Sequence, residues 1–346
     1  MSVTIELAQE ADYPAWDQFV ANHPNGTFCH LAGWKTVIES GAGQTCPYLV
    51  AKAGREIVGV LPLSVKKHPL FGKALISNMF CVYGGALAKS DDVVTQLYDS
   101  AWAFAQKNGL PILEVRTPTA HHKEEPTWIS MSGSATFSKD LAANEEDQLL
   151  AIPRKQRAVV RKSLKNELKT RWTDNVDDFY ELYARSVWAL GTPVFPKKLF
   201  ERLVAVFGKQ VAVQLTEDRD GRPVASLMSF YFKDTVMPYY AGGSAFVRKY
   251  AAHDFMYFQL MLEARRRGYS QFDFGRSKVD SGPYRFKKNW GFEPQPLEYV
   301  MRLAEGVKPP NLSQQSGPYA TLSNIWKKMP FGLSKLLGPP LARHLG

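Results

Sequence analysis

Cysteine is scarce: only Cys29, Cys46 and Cys81 occur in 346 residues. Their spacing matches neither a disulfide framework nor a set of metal ligands, so a reducing cytosol is expected. Long apolar runs are missing too, and none approaches the roughly 18 residues of a spanning helix. The opening stretch, MSVTIELAQEADYPAWDQF, is too acidic and too broken for a signal peptide. Acidic side chains are outnumbered, 33 against 43 Lys and Arg, which leaves a net charge of +10. That excess favours anionic partners, whether nucleotide phosphates, RNA or an acidic membrane surface, and selects none of them. The signatures of common catalysts are also absent: there is no GxSxG elbow, Walker loop or HExxH. Gly41-Ala42-Gly43 opens a would-be dinucleotide signature, but Cys46 stands where its last glycine belongs, and the segment follows a helix rather than a strand. His121-His122 has no other His or Cys at ligand spacing, which favours a crossover loop over a metal site.

Apolar material, by contrast, is plentiful. Hydrophobic residues make up 45% of the chain, with eight Trp and twenty Phe, enough for two domains with real cores and too much for disorder. Periodicity predicts a strand over 3–7 and helices over 11–21 and 28–40. Strands follow over 48–53, 56–65 and 75–82, then a helix over 91–108 and a strand over 112–116. A similar order returns with strands over 211–216, 224–232 and 236–240, a helix over 253–267 and a strand over 272–274. Gly54-Arg55 and Gly221-Arg222, Gly85 and Gly243, and Gly109 and Gly268 stand roughly 160 residues apart, which suggests an internal duplication. Further helices are expected over 177–190 and 197–207. The fold class expected is α/β, with mixed sheets and two similar halves: residues 1–130, residues 140–303, then a linker and tail over 304–346.

Three stretches carry candidate chemistry. In the first, FDFGRSK, the strand Phe272-Asp273-Phe274 stops at Gly275 and a basic loop with Arg276 and Lys278 follows. It is continued by PYRFKKNWGF, read as an extended segment on which Phe286 and Lys288 share one face and Lys287 takes the other. A carboxylate at a strand end before a Gly-broken basic loop is a common site pattern in α/β folds, with a solvated loop as the alternative. The second, residues 154–171, holds eight Lys or Arg and one acid, Glu167, and reads as a basic helix with an apolar stripe that is either solvated or contacts an anion. The third, the tail from Ile325, mixes Trp, Phe and Leu with basic residues. It either packs on the core, the favoured reading, or meets a membrane interface; Pro330, Gly332 and Gly338-Pro339-Pro340 are expected to interrupt a long helix. Clustered cations, tyrosines and an Asp at strand ends suit transfer of an activated acyl group from an anionic carrier to an amine, with no covalent nucleophile and no tightly bound cofactor.

FDFGRSK followed by PYRFKKNWGFEPQPLEY, with the earlier TFCHLAGWK and IPRKQRAVVRKSLK, resembles the FemAB family, nearest its branch associated with PEP-CTERM and exopolysaccharide systems. The resemblance covers about residues 1–303. It implies two GNAT-like domains and transfer of an acyl or aminoacyl group, from acyl-CoA or aminoacyl-tRNA, to a peptidoglycan or exopolysaccharide precursor. It also implies a cytoplasmic protein working at or near the inner face of the membrane. The family's FKxxFG element is matched by Phe286, Lys287, Trp290 and Gly291, with Trp for the second Phe. Lys287 thereby inherits a role in transfer or anion binding, and Trp34-Lys35 matches a pair implicated in precursor binding. Two features of such proteins are missing: a long helical arm in the second domain, and the two glycines of a GNAT pyrophosphate loop, which RKYAAHD lacks. On this reading Asp273 orients a base or binds the acceptor amine. Tyr239, Tyr240, Tyr284, Arg285 and Arg276 line the pocket, and Lys35 reaches in from the first domain. A catalytically degenerate scaffold of polysaccharide assembly, or an RNA-binding protein, are the other readings.

Overall fold

A computed structural model describes residues 2–69, 71–117, 127–309 and 318–346. His121-His122 and residues 310–317 of the expected linker lie outside these. The chain begins with β1 (Val3–Leu7), α1 (Tyr13–Asn22) and α2 (Gly33–Ala42), then β2 (Leu49–Ala53), β3 (Glu56–Leu61), β4 (Ser64–His68), β5 (Gly72–Ser77) and β6 (Leu87–Ala88). It continues through α3 (Asp91–Lys107), β7 (Ile112–Val115), β8 (Trp128–Thr136), β9 (Ser138–Asp140), α4 (Glu145–Leu150), α5 (Arg154–Ser163) and β10 (Lys169–Thr173). Next come α6 (Asp177–Ala189), α7 (Lys197–Phe207), β11 (Val211–Glu217), β12 (Pro223–Phe232), β13 (Thr235–Gly243), α8 (Val247–Tyr250), α9 (Ala252–Arg266) and β14 (Gln271–Asp273). The last elements are β15 (Ser277–Lys278), α10 (Gly282–Asn289), β16 (Gln295–Leu303), α11 (Pro318–Lys328) and α12 (Phe331–Ala342).

These elements form two compact units. One comprises Met1–Gly133, Pro296–Asn311 and Pro340–Gly346; the other comprises Ser134–Gln295 and Leu312–Pro339. In the first, β1, β2, β3 and β6 make one sheet, and β16, β7, β5 and β4 are neighbours in another. Strand β7 runs parallel to β5, with Leu113 opposite Leu75, and the connection between them is α3. A parallel pair needs such a crossover, because a tight turn can only reverse the chain. Leu97, Tyr98, Ala101 and Ala105 of α3 are buried in the core beside Leu75, Leu113 and Val300. The second unit repeats the device. Its sheet has the order β10-β11-β12-β13-β14-β9, the β11–β12–β13 pairs are antiparallel, and β14 returns parallel to β13 through α9. Phe258, Leu260, Met261 and Ala264 of α9 are buried in its core with Phe272, Trp290 and Phe292. Full burial of each large apolar side chain among these is worth about 1.5–3 kcal/mol.

Several expected elements are corrected. The stretch 28–40 divides into a 3-10 turn at Phe28–His30 and the helix α2. The 56–65 strand breaks into β3 and β4 at Pro62, which has no N–H for a ladder. Residues 154–171 are not one helix: α5 ends at Ser163, Glu167 takes a left-handed backbone (φ 53°), and Lys169–Thr173 pairs antiparallel with β11. The segment read as extended around Lys287 is the helix α10, opened by the Ser281 hydroxyl accepting the Tyr284 N–H and by a proline in its first turn. Helix α12 also runs through Gly338-Pro339-Pro340, whereas Pro330 does mark a break.

Strand β16 pairs antiparallel with β7, Val300 opposite Val115. A fragment of residues 1–130 would leave that edge of β7 unpaired and the core around Val300 open. Such a fragment is expected to aggregate or to bind a hydrophobic dye; a soluble fragment with a cooperative melt would contradict this account.

Candidate functional site

Strand β14 brings Asp273 to a strand end, and the following loop turns sharply at Gly275, whose φ of 64° lies in the left-handed region that favours glycine. The buried Asp273 carboxylate accepts the Gly275 N–H at 2.7 Å and the Thr136 hydroxyl at 3.3 Å, which pins the turn. The carbonyls of Phe274, Gly275 and Arg276 converge on one point. Lys287 Nζ occupies it, donating to them at 2.7, 2.8 and 3.3 Å. The ammonium also lies 5.3 Å from the centre of the Phe137 ring and 5.8 Å from that of Phe274. Lys287 is 7% exposed, and burial pulls its pKa from the ordinary lysine value down to about 7, with Asp273 pulling it back up. The site therefore holds a cation that titrates near neutrality beside a buried carboxylate.

The other candidate residues divide. Tyr284 packs edge-on against Phe137, the ring that Lys287 covers. Arg276 joins through its backbone carbonyl, while its guanidinium, on an exposed residue, donates to Ser134 Oγ at 3.0 Å. Arg285 and Lys288 are exposed on α10. Tyr240 is buried among Tyr183, Phe200 and Phe230, and Tyr239 lies against Phe230, so both pack in an aromatic cluster. In the first unit, Trp34 is wholly buried and its indole donates to the Phe28 carbonyl at 3.0 Å, leaving no surface for a ligand. Beside it, Lys35 pairs with Glu39 at 2.8 Å and donates to the Cys46 carbonyl. The three cysteines are buried, and burial pushes the Cys46 thiol up to about 12, a group held protonated at neutral pH.

Two features of the second unit leave no mark in the sequence pattern. Asp254, near the start of α9, is pushed up to about 6 by burial, partly offset by the Trp290 indole and the Gln156 amide. Nothing in RKYAAHD signals it, because its environment comes from α5 and the end of α10. The other is a cleft of about 580 Å³ between Trp172, Lys209, Arg267 and Tyr269. Its Arg267 guanidinium lies 5.3 Å from the centre of the Trp172 ring and 5.0 Å from that of Tyr231. The basic segment keeps a groove of about 510 Å³ walled by Arg154, Arg157, Arg161, Lys162 and Lys165. One wall residue also holds the backbone: Arg157 donates to the Ile152 and Leu150 carbonyls at 3.0 and 2.8 Å, capping the end of α4. Among the described residues, no group of three or more His, Cys, Asp or Glu could hold a metal ion, and no helix is long and apolar enough to cross a membrane.

The comparisons with known proteins bear on the fold. Residues 154–288 match the family described as Acetyltransferase (GNAT) domain. Among solved structures, FemX is similar with a TM-score of 0.67 at 16% identity, covering 87% of this chain and 97% of that one. A tandem GNAT protein from the clavulanic acid biosynthesis pathway gives 0.56 at 11% identity, covering 89% and 100%. L-PGS from Bacillus licheniformis gives 0.54 at 10% identity, covering 96% and 98%. No curated protein matches the chain. At these identities the likeness is one of fold. The fold is mixed α/β, with GNAT-like domains in tandem.

Proposed function

We propose that the protein is an N-acyl or aminoacyl transferase acting on an amine of a cell-envelope or exopolysaccharide precursor, at the cytoplasmic side of the membrane. One observation carries the reading. The segment matching an acetyltransferase domain, 154–288, is the one that holds Asp273, the near-neutral Lys287 and the basic groove. In such a transfer the acceptor amine attacks the acyl carbonyl, the new amide C–N bond forms, and the bond to the carrier's sulfur or oxygen breaks. The amine's proton leaves to a base and the carrier regains one. Groups titrating near pH 7 suit both proton movements, and a buried cation stabilises the developing oxyanion. Acyl-CoA and aminoacyl-tRNA are the two donors considered, and both are polyanions of the kind that the α5 groove would bind. Tyr284, Arg285 and Arg276 remain candidates for the acceptor side within the second unit. A scaffold without catalysis is the second reading; the engagement of Lys287 with three carbonyls favours it.

The test is to measure retention of CoA, acyl-CoA and aminoacyl-tRNA at low salt, with mass spectrometry of any molecules that co-purify. One carrier is expected to bind. Replacing Arg154, Arg161, Lys162 and Lys165 with Gln should then weaken its binding, or raise its KM, by roughly tenfold or more, and the difference should shrink as salt rises. Arg157 is left in place because of its bonds to α4. Binding of no carrier, at any salt, by the parent protein would remove the transferase reading and leave the scaffold.

A further inference from the structure

Helix α12 is packed with its apolar side outward. At about 100° per residue, Leu333, Leu336 and Leu337 fall within an arc of roughly 100°. Their exposures are 44%, 71% and 42%. The opposite arc carries small residues: Ser334, buried, and Gly338, where an added Cβ would stand 3.0 Å from the Val194 backbone nitrogen. The helix is therefore held close by its small side. Phe331 lies under the Arg185 guanidinium at 4.3 Å, and Lys335 pairs with Glu181 at 2.6 Å. An ordinary surface helix would turn its leucines to the core. Helix α11 continues the arrangement, with Trp326 buried and Ile325 56% exposed beside exposed Lys327 and Lys328. The stem of Lys327 passes 2.9 Å from where a Cβ on Gly191 would stand, next to Leu190, which is 70% exposed. No Asp or Glu occurs in the sequence after Glu305.

We infer that the outward faces of α11 and α12 form a docking surface for an anionic lipid leaflet. Leu333, Leu336, Leu337 and Ile325 would enter the interface, and Lys327 and Lys328 would meet the headgroups. Exposed branched side chains supply the apolar term, and lysines in a segment without Asp or Glu supply charge complementarity. Pairing this face with its copy in a second molecule would bring the same lysines together, an arrangement that like-charge repulsion disfavours. The inference is independent of the transferase reading, because it uses no residue of the Asp273–Lys287 site.

Co-sedimentation of the full chain with phosphatidylcholine vesicles, and with vesicles of phosphatidylcholine and phosphatidylglycerol at about 7:3, tests it. Binding to the anionic vesicles is expected to be at least tenfold tighter. Leu336→Asp should weaken it tenfold or more without moving the melting temperature. Lys327→Gln with Lys328→Gln should weaken it and flatten its salt dependence. Equal affinity for the two vesicle types, absence of binding to both, or undiminished binding by Leu336→Asp would overturn the proposal. So would a concentration-dependent dimer in sedimentation velocity that Leu336→Asp makes monomeric, since the face would then serve self-association.

Discussion

Replacing Lys287 with Met is expected to lower turnover by roughly 10²-fold or more, once a donor and an acceptor are in hand, while Lys288→Met changes little. The two lysines are adjacent, but α10 buries Lys287 and exposes Lys288. Methionine keeps most of the apolar stem against Phe137 and removes the charge from the Phe274–Arg276 carbonyls. A second measurement needs no substrate. In the unfolded chain a lysine titrates near 10.4; in the folded protein Lys287 titrates at about 7. Between those values the unfolded state binds the extra proton, so this group makes folding stability rise with pH, by up to about 1.4 kcal/mol per unit. Below about pH 7 both states are protonated and the contribution is flat. The parent should therefore gain stability relative to Lys287→Met as the pH is raised from about 7 to about 9. Equal loss of activity in the two mutants, or a Lys287→Met protein that does not fold at any pH, would reduce Lys287 to a residue that holds the loop.

A large stability effect is expected at Gly242. It lies in β13 opposite Ser226, and α6 crosses it so closely that an added Cβ would stand 2.4 Å from the Tyr183 nitrogen and 2.5 Å from the Leu182 carbonyl carbon. The atoms in the way are helix backbone, which cannot swing aside as a side chain would. Moving α6 would also pull apart the Phe179, Tyr183, Phe200 and Tyr240 rings. Gly242→Ala should cost about 3 kcal/mol and lower the melting temperature by about 5–10 °C; Gly242→Val should cost more. Gly282, with nothing within 4 Å of its added Cβ, is the control, and its Ala variant should melt like the parent. Were Gly242→Ala to melt within a degree of the parent, the close approach of α6 to the sheet would be wrong.

The legible elements are those whose own side chains repeat with one period. Strands β11, β12 and β13 and helices α3 and α9 carry such patterns, and each helix joins parallel strands in its unit. Where local signals compete, pattern misleads. Alternating aromatic and charged residues around Lys287 suggest an extended chain, while the Ser281 cap and Pro283 two residues later are the signal of the helix that forms. Leu164 and Leu168 continue the apolar stripe of α5, which makes the expected helix too long, yet the open edge of β11 takes Lys169–Thr173 as a strand. Most of the candidate site residues lie in the second unit. There the fold gathers Asp273, Lys287, Tyr284 and the Arg276 carbonyl, and takes Tyr239 and Tyr240 for packing.

Residue type, and spacing within about twenty positions, suffice for the α/β class, the repeated strand–helix–strand order, the basic balance and the choice of Lys287 as a candidate. Three-dimensional packing is what sets β16 into a sheet of the first unit beside β7, some 185 residues earlier in the chain. It also brings the Lys287 titration near neutrality and turns the leucines of α12 outward. Pairing of distant strands, loss of water around a charge and the choice of which helix face is covered depend on neighbours far away in the chain, and no local pattern encodes them.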